Sequence, residues 1–219
     1  MSNLTKRLSR LGCWLAIILF IIASLVSPGS ARSVEGLSIQ ATITPAAPVI
    51  VEDPALTPVY DTLCTSHWYQ IQNDRGHNAY LTLNVKNPAN SENQGEWRPT
   101  LPQDGYYRVE AYIPDHGTID WICPNFQRTV SSDTYDARYV ITHANGKTTV
   151  AANQAPFNNE WLSLGEFQFR AGATGSVLLT DLNGETDFSH TIAFSALRFT
   201  WTRPPALSLH LPAISRNAG

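Results

Sequence analysis

The sequence predicts an all-β protein: a β-sandwich, jelly-roll-like, built from short antiparallel strands. Three observations predict it. Short runs rich in β-branched and aromatic residues follow one another from Tyr80 to Trp201. Clusters of turn residues separate them: NPANSENQGE, LPQDG, HANGK, RAGATG and DLNGE. No run outside the N-terminus carries a helical period.

At the N-terminus, Lys6, Arg7 and Arg10 precede the apolar run Leu11 to Val26, and SPGSA follows. This is the pattern of a secretory signal, expected to span residues 1–31 with cleavage near Ala31. The run is shorter than the roughly 20 residues of a membrane span, and a retained anchor is the alternative. Residues 32–58 are proline-rich and read as a linker or an edge segment, since Val49-Ile50-Val51 is strand-prone. The sandwich domain is expected over 59–202, with a tail at 203–219.

Within the domain, strands are expected at 80–85, 106–114, 137–144, 147–153, 160–169, 175–181 and 191–201. In 106–114, Tyr107, Val109, Ala111 and Ile113 alternate with Tyr106, Arg108, Glu110 and Tyr112, so one face is apolar and the other amphipathic. Asn145-Gly146 between two strands is a tight hairpin signal. In WLSLGEFQF, Leu162 and Leu164 share one phase and Phe167 and Phe169 the other. One extra residue near Gly165 would bring both pairs to the core, as a β-bulge does. The run 191–201 is apolar on both faces and reads as one central strand.

Charge excludes some partners. Of fifteen basic residues the signal holds three and of eighteen acidic residues none. Twelve against eighteen leaves the exported chain at −6, without a basic stripe for nucleic acid or an anionic membrane. Stable membrane insertion is not expected once the signal is removed.

Export leaves two cysteines, Cys64 and Cys123, for which a disulfide is the expectation; it would close a loop of about 60 residues. Trp68, Tyr69, Trp121 and Phe126 lie close to these cysteines in sequence. They form a candidate ligand platform on which sugar rings could stack, or else a satellite core beneath long loops. Asp115, His116, Asp120 and Asp133 offer carboxylate and imidazole groups, but no HExxH, CxxC or DxDxDG pattern organises them. No cofactor, metal ligand or catalytic residue is therefore assigned; structural calcium is the alternative. His143, beside the hairpin, and the amides Asn153 and Gln154 read as structural hydrogen-bonders.

The order of motifs resembles the golvesin and xanthan-lyase carbohydrate-binding-like domain family. Trp97, Pro99, Leu101, Pro102, Gly105, Tyr107 and Val109 fill its first segment. Tyr139, Ile141, His143 and Gly146 fill the hairpin, and Val150, Asn153 and Gln154 the strand end. Trp161, Leu164, Gly165, Phe167, Phe169 and Gly172 fill the fourth segment, and Ser195 to Phe199 the last. The resemblance covers about 95–201 well and 60–88 poorly. It implies a secreted, non-catalytic β-sandwich, and it assigns Trp97 and Trp161 to packing. The chain departs from the pattern in the insertion DHGTIDWICPNFQRTVSSDTYD (115–136), and no enzyme domain is expected beside it. The function expected is binding of a polysaccharide or other cell-envelope component outside the cytoplasm. The alternative is a structural or protein-interaction module of a bacterial surface assembly.

Overall fold

The computed structural model describes residues 46–58, 68–123 and 126–206. The segment expected to be a signal, Cys64 and most of the tail lie outside them.

The described residues form fourteen strands: β1 Val49–Val51, β2 Ala55–Thr57, β3 Tyr69–Asp74, β4 His77–Leu83, β5 Gln94–Trp97, β6 Gly105–Ile113 and β7 Ile119–Cys123, then β8 Phe126–Val130, β9 Ala137–His143, β10 Gly146–Ala152, β11 Glu160–Phe169, β12 Ser176–Thr180, β13 Thr191–Phe194 and β14 Leu197–Arg203. One sheet runs β1-β14-β6-β11 and a second β10-β9-β12-β5-β2, with every pairing antiparallel. The alternating inward residues of the two sheets share one core. Tyr107, Val109, Phe169 and Phe199 from the first meet Trp97, Tyr139, Ile141, Val177 and Leu179 from the second, as in a sandwich. Phe169 stands edge-on to both Tyr107 and Phe199, at 6.0 and 5.8 Å between ring centres.

The expected bulge is present. Leu162 pairs with Ala111 and Ser163 with Glu110, and the ladder then resumes at Gly165 opposite Val109. Gly165 takes φ +116°, a conformation that side chains rarely adopt. The shift aligns Phe167 with Tyr107 and Phe169 with Gly105. Phe169 is fully buried, while Phe167 is half-buried against the core margin.

Three expectations change. The run 191–201 is two strands, because the chain leaves one sheet and enters another at Ser195-Ala196. β13 joins β4 and β3 in a three-stranded sheet, whereas β14 is central in the first sheet. Both faces are apolar because the two halves serve two packing layers. The hairpin turn lies one residue early: His143 pairs with Gly146 around Ala144-Asn145, and Gly146 supplies the positive φ. The insertion, for which the sequence predicts no strand, forms a regular β7–β8 hairpin.

The Cys64–Cys123 disulfide is likewise corrected: no disulfide is present among the described residues. Cys123 ends β7 opposite Phe126, and its side chain, like all of Cys64, lies outside them. The hairpin is held instead by packing. Ile119, Trp121 and Val130 bury against Leu81, Leu83 and Ala193 of the three-stranded sheet, forming a second apolar cluster.

Candidate functional site

A concavity lies where this hairpin meets the three-stranded sheet. Three stretches distant in sequence build it: Thr82 to Asn93, Phe126 at the start of β8, and Asp181 to Phe188. The cavity measures about 260 Å³, with Leu83 and Val85 among its apolar lining.

Asn84 shapes the third stretch. Its side chain is fully buried. Its Nδ2 donates to Asn183 Oδ1 (3.1 Å) and to the Thr186 carbonyl (2.9 Å). Its Oδ1 accepts from the backbone N–H groups of Ser189 and His190 (3.0 and 2.8 Å). Its own carbonyl accepts from Phe188 N (2.8 Å). The 183–190 loop is thus wound around one amide, which satisfies backbone groups that no ladder reaches.

That winding holds Phe188 at φ +57°, a left-handed conformation that is a genuine outlier for a bulky residue. Arg128 Nε fixes the Phe188 carbonyl from the hairpin side (2.9 Å). Phe188 stands edge-on to Phe126 at 5.5 Å between centres, so two phenyl rings border the cavity.

The polar lining is Asn93, Asp181, Thr82, Asn90 and Glu92. Asn93 is 6% exposed and donates from Nδ2 to Thr82 Oγ1 (2.7 Å). Its Oδ1 is buried and has no hydrogen-bond partner among the described residues. An unmet buried acceptor costs roughly 1–3 kcal/mol. Asp181 is 1% exposed and accepts from Ser91 Oγ (2.5 Å), Asn93 N (3.0 Å) and Glu92 N (3.2 Å). Burial pushes its carboxyl above the usual range, against those hydrogen bonds.

Of the four platform residues, Phe126 alone lines the cavity. Trp68 is 6% exposed, edge-on to Phe194 at 5.0 Å and hydrogen-bonded to the Pro58 carbonyl. Trp121 is 3% exposed within the second cluster, and its indole N–H has no partner among the described residues. These two rings present no open face; Tyr69, edge-on to Trp121 at 6.0 Å, is exposed. Trp97 is buried, donating to the Ser195 carbonyl (2.8 Å). Trp161 is only half-buried, with the Arg198 guanidinium 4.3 Å from its ring centre.

His116 and Asp133 meet elsewhere, where the chain enters and leaves the hairpin. His116 Nε2 lies 2.8 Å from Asp133 Oδ1, and its Nδ1 lies 2.7 Å from the Gly117 carbonyl. Both ring nitrogens are engaged in hydrogen bonds within the fold. Asp120 sits on the outer hairpin, bonded to Thr129 Oγ1 (2.7 Å). Among the described residues no group of three or more His, Cys, Asp or Glu side chains stands close enough to hold a metal ion, and none of their helices is long and apolar enough to cross a membrane. His143 bonds Thr148 Oγ1 (2.9 Å) across its hairpin. Gln154 is fully buried and bonds the Tyr139 hydroxyl and both backbone groups of Ala193. No sequence signal pointed to Asn84, Asn93, Asp181 or Phe188 individually; the NPANSENQGE and DLNGE turn signals marked only the stretches that carry Asn93 and Asp181.

No curated protein matches the chain. Among solved structures, a xanthan lyase from Paenibacillus is similar at 18% identity with a TM-score of 0.47, over 71% of this chain and 13% of that one. The Golvesin C-terminal domain family matches residues 57–200. The match takes in both sheets except β1, most of β2 and the end of β14, together with the cavity: the chain belongs to the Golvesin C-terminal domain family.

Proposed function

We propose that this domain binds a saccharide of the cell envelope, without catalysis, in the cavity bordered by Phe126 and Phe188. The observation that carries the reading is a cavity edged by the two phenyl rings of Phe126 and Phe188 and lined beside them by polar residues, Asn90 and Glu92 among them. A sugar ring matches that combination. Its C–H faces pack on aromatic carbon, and its hydroxyls donate to amide and carboxylate oxygens. The volume is slightly below the roughly 300–1,000 Å³ of drug-sized pockets and suits one ring of a chain rather than an enclosed oligosaccharide. Strain at Phe188 supports the same place, since backbone outliers gather at ligand clamps.

The test is a glycan array probed with the purified protein and with its Phe188→Ala and Asn93→Ala variants. Retention by the parent and loss by both variants, at melting midpoints within a few degrees, supports the reading. Failure on every glycan, with retention of an envelope protein instead, would replace it with a protein-interaction role.

A further inference from the structure

An acidic or amide side chain precedes glycine at three places: Asp104-Gly105, Asn145-Gly146 and Asn183-Gly184. None of the three pairs lines the cavity. Each could undergo the same reaction, attack by the glycine backbone nitrogen on the side-chain carbonyl carbon before it. Glycine permits it because no Cβ shields that nitrogen. The reaction also needs a side chain free to swing over the backbone and open space beside the glycine. The structure separates the three pairs on both counts.

Asn183 is 2% exposed and locked. Its Nδ2 donates to Thr134 Oγ1 (3.0 Å) and Glu185 Oε2 (2.7 Å), and its Oδ1 accepts from Asn84 Nδ2 (3.1 Å) and Glu185 N (3.0 Å). The following Gly184 N–H donates to Asp136 Oδ2 (3.0 Å). Asp104 Oδ1 is held by Ala171 N–H (2.7 Å), and Gly105 is packed against Trp201. Asn145 differs. It is exposed at the tip of the β9–β10 hairpin, and its side chain has one long hydrogen bond, to Gln168 Oε1 at 3.3 Å. A Cβ placed on Gly146 would meet nothing within 4 Å.

We infer that Asn145-Gly146 is a self-modification site, at which the folded protein deamidates selectively. The Gly146 nitrogen loses its proton and bonds to Asn145 Cγ. The Cγ–Nδ2 bond breaks, and Nδ2 leaves as ammonia carrying that proton, so a cyclic imide forms. Water then opens the ring at either carbonyl, its hydroxyl going to carbon and its proton to nitrogen. Opening at the side-chain carbonyl gives aspartate, and opening at the backbone carbonyl gives isoaspartate. One water is consumed and one ammonia released, with no change of oxidation state. Both products add a negative charge. Both lose the Nδ2 donor that meets Gln168, and isoaspartate also lengthens the turn backbone by one carbon. The neighbouring Ala144 N–H donates to the Gln168 carbonyl at 2.7 Å, so the altered tip is where the second sheet's hairpin is tied to β11 of the first.

The experiment is a time course in mildly alkaline buffer, read by ion exchange, by peptide mass mapping and by isoaspartyl methyltransferase labelling. The purified protein is followed folded and in denaturant, beside the folded N145Q variant, which keeps the fold because the position is exposed. In the folded parent, Asn145 should convert at least about tenfold faster than Asn183, whose reaction waits for local opening. In denaturant the two should convert at similar rates, and N145Q should form no acidic species over the same period. Conversion of Asn145 no faster than Asn183 in the folded protein overturns the inference. So does an acidic species that persists in N145Q, or a rate difference that survives in denaturant.

Discussion

Asn84 and Phe188 show how single residues make this site. A buried amide that makes four side-chain hydrogen bonds leaves several backbone groups unmet when truncated. Asn84→Ala should therefore destabilise the domain by roughly 2–4 kcal/mol, the range of losing several buried hydrogen bonds, as read by chemical denaturation. Phe188→Gly removes a ring and also a strained φ worth about 1–3 kcal/mol, so its melting midpoint should stay near the parent's while saccharide binding is lost. Neither residue was legible in one dimension. Asn84 reaches about a hundred residues along the chain, and nothing around VKNPAN announces that. Trp68 and Trp121 were legible as large rings near irregular sequence, but Phe194 and the second apolar cluster decide that they are buried.

At the scale of elements, periodicity carried far. The phase change in WLSLGEFQF was enough to locate the bulge, because two phenylalanines would otherwise face water. Phe169→Ala should cost about 3–5 kcal/mol and Phe167→Ala distinctly less, since its ring is half-buried. Gly165→Ala should cost more than about 1 kcal/mol from φ alone. The break at Ser195-Ala196 was not legible, since alternation continues through a residue pair where the chain changes sheet. The β7–β8 hairpin was hidden for a related reason: its apolar residues bury against another sheet in an arrangement the insertion does not encode. The base of that hairpin carries a pH dependence. Burial opposes charge on His116, but Asp133, the Gly117 carbonyl and nearby Asp115 outweigh it and raise the imidazole above its usual value. Asp133 is itself bonded to Thr191 Oγ1 at 2.7 Å on β13. Protonated His116 is favoured in the folded state, so its stabilisation is complete below about 6.5, the ordinary histidine value. It fades as pH rises through the raised folded value. The gap in melting midpoint between the parent and His116→Gln should be widest in mild acid and narrow in alkali; a gap constant with pH would contradict the clamp.

For the whole molecule, the sandwich was legible because alternating strands and turn clusters repeat along the chain and bury by the same rule. The cavity was not, because its walls come from three segments whose juxtaposition follows from packing. A sandwich that buries Trp97, Tyr107 and Phe199 in its core leaves the insertion and the 181–190 loop free to carry recognition, as loops on rigid scaffolds do. The central claim is that a saccharide occupies the space between those two segments. The most direct measurement is nuclear magnetic resonance of the isotope-labelled protein, titrated in turn with the tetrasaccharides of glucosamine, N-acetylglucosamine and glucose. The account predicts saturable shifts at the Asn93 side-chain amide and at the backbone amides of Glu92, Asn93 and Phe188 with at least one of these sugars. Shifts centred instead on Trp161 and Arg198, or none with any of the three sugars, would contradict it.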